Sequence, residues 1–240
     1  MPDSTQLSQT EETLIERWLR WTEKIHDEVE SMLVKRQLYE KYVEIVKANP
    51  SIQNPRDYHD WIMRNYFEST LMCIRRLTKP QKRAGKMQSI SFMGLLLELK
   101  ENPQLITMDW YLRDYINAPS NTDGSPTSDS WTHAFGVDTF KTKFGGGTET
   151  LHPAVIDADI LLLETQTEIV ENFIDNALAH TSDDERGNQS IATKHVFQAI
   201  KIIEELAAKY IDLMGMGSYT SLSPTFQYNP ESIFLKPWIN

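Results

Sequence analysis

Apolar residues recur at helical spacing along most of the chain, while the strict alternation of a half-buried strand is scarce. From Thr10 to Ala48 a stripe through Ile15, Trp18, Thr22, Ile25, Val29, Met32 and Leu33 marks one face of a long first helix, which Asn49-Pro50 stops. A second helix starts near Asn54-Pro55, with proline in its first turn. It runs through Tyr58, Trp61, Ile62, Tyr66, Met72, Cys73 and Leu77 to Thr78, before Pro80. Ser89 to Lys100 reads as a shorter helix ended by Asn102-Pro103, and Met108 to Ile116 as another.

Between Ala118 and Leu151 the periodicity fades. Pro119, Asp123-Gly124, Ser125-Pro126 and Gly145-Gly146-Gly147 punctuate a polar stretch that reads as a long loop, carrying Trp131, Phe135, Phe140 and Phe144 to dock it on the body. Helical spacing then resumes from Pro153 through Ile156, Ile160, Leu163, Val170, Phe173 and Ala177 to His180. A turn covers Thr181 to Gln189. The last helix begins near Ser190 to Thr193, carries Val196, Ile200, Ile203, Leu206, Ala207, Tyr210 and Leu213, and stops at Gly215 and Gly217. The expected fold is all-α: one antiparallel helical bundle over residues 10–214, interrupted by the 118–151 loop and followed by an irregular tail, 215–240.

Composition narrows the function. The 240 residues carry 24 Lys+Arg against 34 Asp+Glu, a formal charge of −10, so a general DNA- or RNA-coating protein, which needs many cationic phosphate contacts, is not expected. The single cysteine, Cys73, cannot form an internal disulfide and suits a reducing, cytoplasmic setting. No apolar run approaches the ~18 residues of a membrane span, and the first ten residues lack the order of a secretory signal. Metal chemistry is not expected either. The six histidines include no His-x-x-x-His pair, and no Glu-x-x-His set for a diiron bundle is read. Glu164, Glu168, Glu171 and Asp175, at spacings of three and four, read as a solvated helix face. The triple glycine lacks a following Lys-Ser/Thr and reads as a flexible linker, and Cys73, among Leu71, Met72 and Ile74, as an inert core thiol. No cofactor is implied.

Two segments stand out. Arg75, Arg76, Lys79, Lys82, Arg83 and Lys86 place six cations in twelve residues at a helix end, where they complement unpaired carbonyls and offer a candidate RNA contact. In Ile174-Asp175-Asn176-Ala177-Leu178-Ala179-His180-Thr181-Ser182, Asn176 and His180 share one helical face, one turn beyond Phe173.

The ending Asn176-Ala177-Leu178-Ala179-His180, the run from Tyr66 to Arg76-Leu77-Thr78 and the closing helix Ala207 to Met214 together resemble the HEPN superfamily, most closely its AbiU-type abortive-infection branch. The resemblance implies a helical bundle that dimerises along its motif helices. Many such proteins are metal-independent ribonucleases of phage-defence or toxin–antitoxin systems, acting on RNA or bound to an antitoxin or other partner protein. It also implies a motif of Arg, four to six residues, then His. Counting back from His180, the Arg would fall at Asp175, Ile174 or Phe173, so it is absent. The retained positions are Asp175, Asn176 and His180, with Arg76 on the neighbouring helix as a stand-in cation. In such chemistry the His exchanges protons while the Arg stabilises charge developing on the phosphate; losing one such donor costs ~10²–10³ in rate. Ser182 stands where some of these toxins carry a modifiable Tyr. Nine acids and no bases lie between Pro153 and Glu185, so the rest of the chain, 25 acids against 24 bases, is nearly neutral. The acidity is concentrated where such a nuclease would attract phosphate. The expected role is therefore a noncatalytic or weakly active RNA- or protein-binding module, with an active ribonuclease and an unrelated helical adaptor as the alternatives.

Overall fold

In the computed structural model, which describes residues 9–54, 56–80, 89–116, 130–178, 191–227, 229 and 232, the first helix is α1, Gln9–Ala48. It buries Ile15, Trp18, Trp21, Thr22, Ile25, Val29, Met32 and Leu33, the stripe expected from the spacing with Trp21 added. Each aliphatic side chain of this set, fully buried, contributes about 1.5–3 kcal/mol of apolar transfer. The Trp18 indole N–H donates to Glu98 Oε2 at 2.8 Å, so its polar edge is satisfied inside the bundle.

Past Leu33 no residue of α1 is buried, and α2, Arg56–Thr78, buries nothing before Tyr66. The two helices therefore leave the body together as a hairpin, about 22 Å long over fifteen residues of α1. A 3₁₀ turn, Pro50–Ile52, joins them, and the Asn49 side chain donates to the Ile45 carbonyl at 2.7 Å to end α1. Within the hairpin Tyr39 stacks on Tyr66 at 4.1 Å, while Trp61 is 60% exposed beside Tyr58.

Next come α3, Phe92–Glu101, whose N-cap Ser91 accepts from the Gly94 N–H at 3.0 Å, and α4, Met108–Ile116. The expected loop over 118–151 is then corrected: Ser130–Lys143 is a helix, α5, packed on α4. Its Phe140, with Phe144 just beyond, is fully buried against Tyr111, at ring separations of 5.5 and 5.7 Å. The triple glycine is corrected as well. It forms an ordered turn in which the Gly145 N–H donates to the Phe140 carbonyl at 2.8 Å and the Gly147 N–H to the Lys141 carbonyl at 3.0 Å. Gly146 and Gly147 have φ of +54° and +89°, a region that side chains disfavour. The extended segment that follows is tied to the start of α4 by Met108 N–H to Glu149 O at 2.8 Å and Leu151 N–H to Ile106 O at 2.9 Å, a single isolated bridge rather than a strand. Residues 118–129 of the expected loop lie outside the described residues.

Two long helices close the bundle, α6, Pro153–Phe173, and α7, Thr193–Leu213, packed extensively on each other; α1 packs on α2 and α7, and α3 on α6. The expected straight helix to His180 widens into a π turn at Ile174–Leu178. Gly215 and Gly217, with φ of +74° and +125°, end α7 where the spacing predicted. Residues 215–227 form no regular element, but Leu222 is buried and its N–H donates to Glu204 at 3.0 Å. Among the described residues there are seven α-helices and no strand, and no helix is long and apolar enough to cross a membrane.

Candidate functional site

The π turn at the end of α6 carries Asp175 into the last turn of α2. Arg75 donates to Asp175 Oδ1, and Lys79 Nζ lies 2.5 Å from Asp175 Oδ2. The same ammonium is 3.0 Å from Oε2 of Glu171, which is 8% exposed. The Thr78 hydroxyl sits against both Glu171 Oε1 and the Ile74 carbonyl, sharing one proton between two acceptors. These contacts explain the electrostatics: hydrogen bonds from Lys79 and then Arg75 hold the Asp175 carboxyl below its ordinary pKa. Partial desolvation pulls the Lys79 ammonium down, but its bonds to Asp175 and Glu171 outweigh that and raise it.

Arg76, the next residue, turns to the other side of α2. Its Nε donates to Glu28 Oε1 on α1 at 3.0 Å, and its Nη2 reaches the same oxygen and, at 3.3 Å, Cys73 Sγ. Burial raises the Glu28 carboxyl, yet the bonds from Cys73 and Arg76 bring it below its ordinary value. Cys73 is fully buried, and desolvation, followed by Glu28, raises its thiol. The structure thus brings Arg75, not Arg76, to Asp175. Asn176 is exposed and donates to the Asn172 carbonyl at 2.8 Å. His180, Lys82, Arg83 and Lys86 lie outside the described residues.

The acidic face of α6 is also corrected. Glu164 and Glu168 are exposed, but Glu171 is buried and ion-paired, so the run is not a uniformly solvated surface. The Glu-x-x-His spacing does occur, contrary to the expectation above, at Glu23/His26 on α1 and Glu149/His152 before α6. Among the described residues no group of three or more His, Cys, Asp or Glu is placed to hold a metal ion.

Sequence reasoning missed a second constellation. A cleft of about 830 Å³ opens where the end of α5, the start of α6 and the end of α7 meet the segment after Gly217. Small side chains, Ala154 and Ala158 on α6 and Ala208 on α7, leave the space, and Lys143, Lys209, Asp159 and Asp212 line it. Asp159 and Asp212 are each 8% exposed. Asp159 is well served, with Lys209 Nζ at 2.6 Å and the Tyr210 hydroxyl at 2.8 Å. Among the described residues the Asp212 carboxylate has only long contacts, Lys143 Nζ at 3.4 Å and the Tyr111 hydroxyl at 3.5 Å. Its carboxyl is accordingly raised by burial, with Lys143 and Tyr111 pulling against that. The local signal was present in α7: Asp212 is flanked by Ile211 and Leu213 on a helix that is otherwise buried there.

Compared with protein-family models, curated proteins and solved structures, the chain matches none.

Proposed function

We propose that this protein is a noncatalytic helical binding module, a divergent HEPN-like bundle of the AbiU type that engages RNA or a partner protein in a phage-defence or toxin–antitoxin setting. The observation that supports this reading is the fate of the cations beside Asp175. A phosphate-cleaving site needs a cation free to meet developing charge. Here Arg75 and Lys79 are drawn onto Asp175 and Glu171, and Arg76 onto Glu28. An acid at the position the motif arginine would take thus organises its neighbours as structure rather than leaving them for a substrate.

The test is incubation of the full chain with total RNA, with and without EDTA, beside His180→Ala and Arg75→Ala, with a gel-shift measurement on the same RNA. The reading expects no cleavage by any of the three proteins. Cleavage that is insensitive to EDTA and disappears in His180→Ala overturns it in favour of the ribonuclease.

A further inference from the structure

The cleft at the ends of α5, α6 and α7 goes beyond that reading. Its volume of about 830 Å³ falls within the range of small-molecule sites. Two buried carboxylates in one cleft are costly to the fold, since well-packed apolar residues in place of a buried ion pair are often equally or more stable. Asp159 is explained by its own surroundings, being closed by Lys209 and Tyr210 at ordinary distances. Asp212 is not. Both of its contacts are stretched, and it stands in the last turn of α7, where the negative end of the helix dipole disfavours a further anion. It therefore retains hydrogen-bonding capacity directed at a donor that carries positive charge.

The cation nearest to it is held loosely. Lys143 leaves α5 at its final residue, its side chain is 50% exposed, and its ammonium stands 3.4 Å from Asp212. A purely cationic ligand would meet both Lys143 and Lys209, and a purely anionic one would meet Asp159, Asp212 and Glu205. Only a molecule with both signs close together complements the cleft without leaving a desolvated charge unmatched. Its ammonium would take Asp212 and its carboxylate would take Lys143, which is exposed enough to swing aside by the width of the ligand. Beside this pair the wall is apolar and shallow, built of Ala154, Val155, Ala158 and Ala208. Gly146 lets the rim close in, since a Cβ there would stand 3.2 Å from the His152 ring.

From this geometry we infer that the cleft is a binding site for a small zwitterion of the α-amino-acid type, with Asp212 receiving the ammonium, Lys143 the carboxylate, and the alanine-lined wall an apolar side chain. The interaction is equilibrium binding without chemical change. It is independent of any RNA or protein contact at Asp175.

The experiment is a thermal-shift screen of the full chain with each standard amino acid at millimolar concentration, followed by calorimetric titration of L-leucine as the reference probe. Leucinamide, 4-methylpentanoate and putrescine serve as comparisons that lack one charge or the other. The site predicts binding of apolar amino acids, weakened at least about tenfold when either charge of the ligand is removed. Asp212→Asn and Lys143→Met should each abolish it. Ala158→Phe, at an exposed position on the cleft wall, should block it with circular dichroism and melting unchanged. No shift with any amino acid overturns the proposal. So does equal binding of leucinamide or putrescine, or binding that survives in all three variants.

Discussion

Replacing Lys79 by methionine isolates the ion pairs that join α2 to α6. The ammonium is 3.0 Å from Glu171 Oε2 and 2.5 Å from Asp175 Oδ2. At an effective dielectric of about 20, a unit pair at the Glu171 distance attracts by roughly 5.5 kcal/mol. The Lys79 side chain is 40% exposed, so water screens much of this. Lys79→Met also leaves Glu171 desolvated with only the Thr78 hydroxyl, among the described residues, bonded to its carboxylate, and the expected net loss is about 1–3 kcal/mol. Asp175 keeps Arg75 and is affected less. Replacing both partners, Lys79→Met with Glu171→Met, removes the buried charge together with its partner, and the double variant should be more stable than Lys79→Met alone. Urea unfolding followed by tryptophan fluorescence at pH 7 measures all three. A Lys79→Met loss within about 0.5 kcal/mol of zero, or losses that simply add in the double variant, would refute the account of Glu171 as a buried acid dependent on Lys79.

Asp175→Asn should cost about 0.5–1 kcal/mol at neutral pH, because the wild-type carboxyl is held below its ordinary value but is partly exposed. That contribution is present above the unfolded value and lost as pH falls through the lower folded one, so melting curves of wild type and variant should converge in strong acid. Asp212 has the opposite sign. Its folded pKa is raised, so the wild type gains stability as pH falls through that value towards the unfolded one. Ligand-free Asp212→Asn should be at least as stable as wild type at pH 7, with a flatter pH–melting profile. Gly146→Ala should lower stability by about 1–2 kcal/mol, since it puts a side chain at φ +54° and against His152, and thermal melting would show it. Cys73, buried and with a raised thiol pKa, should react with a thiol reagent only after denaturant is added; prompt labelling of the native protein would contradict its place in the core.

Helices with a continuous apolar stripe were legible from spacing alone. The α1 stripe, the start of α4 and the end of α7 fall where it places them, because Pro, Gly and Asn punctuate strong 3.6-residue patterns. α5 was not legible. Gly136 and the β-branched Val137, Thr139 and Thr142 weaken its helical preference, and it is held by Phe140 and Phe144 packing on Tyr111, a contact between residues far apart in the chain. The π turn at Ile174–Leu178 leaves no mark in an apolar pattern that is compatible with a plain helix. The acids show the same limit. Glu171 and Glu168 both stand on α6, and what separates them is that the end of α2 places Thr78, with Lys79 just beyond it, over Glu171, whereas Glu168 is exposed and no described residue is bonded to its carboxylate. The pairing of Arg75 rather than Arg76 with Asp175 follows from the ~100° between successive helical residues once α2 is seated between α1 and α6. The cleft could not be anticipated, since it is made by alanines on two helices and lysines from two more positions that meet only in the fold.

The long first helix passes from a packed interior to a two-helix projection without a break in its hydrogen bonding. Amide protons around Trp18, Ile25 and Val29 are expected to exchange with solvent only when the whole bundle opens, whereas those from Tyr39 onward are expected to exchange through local unfolding of the hairpin alone. A single unbroken helix is thus divided between two cooperative units, and the boundary near Leu33 and Tyr66 is where a protease or a pulling force acting on the hairpin would meet the resistance of the core.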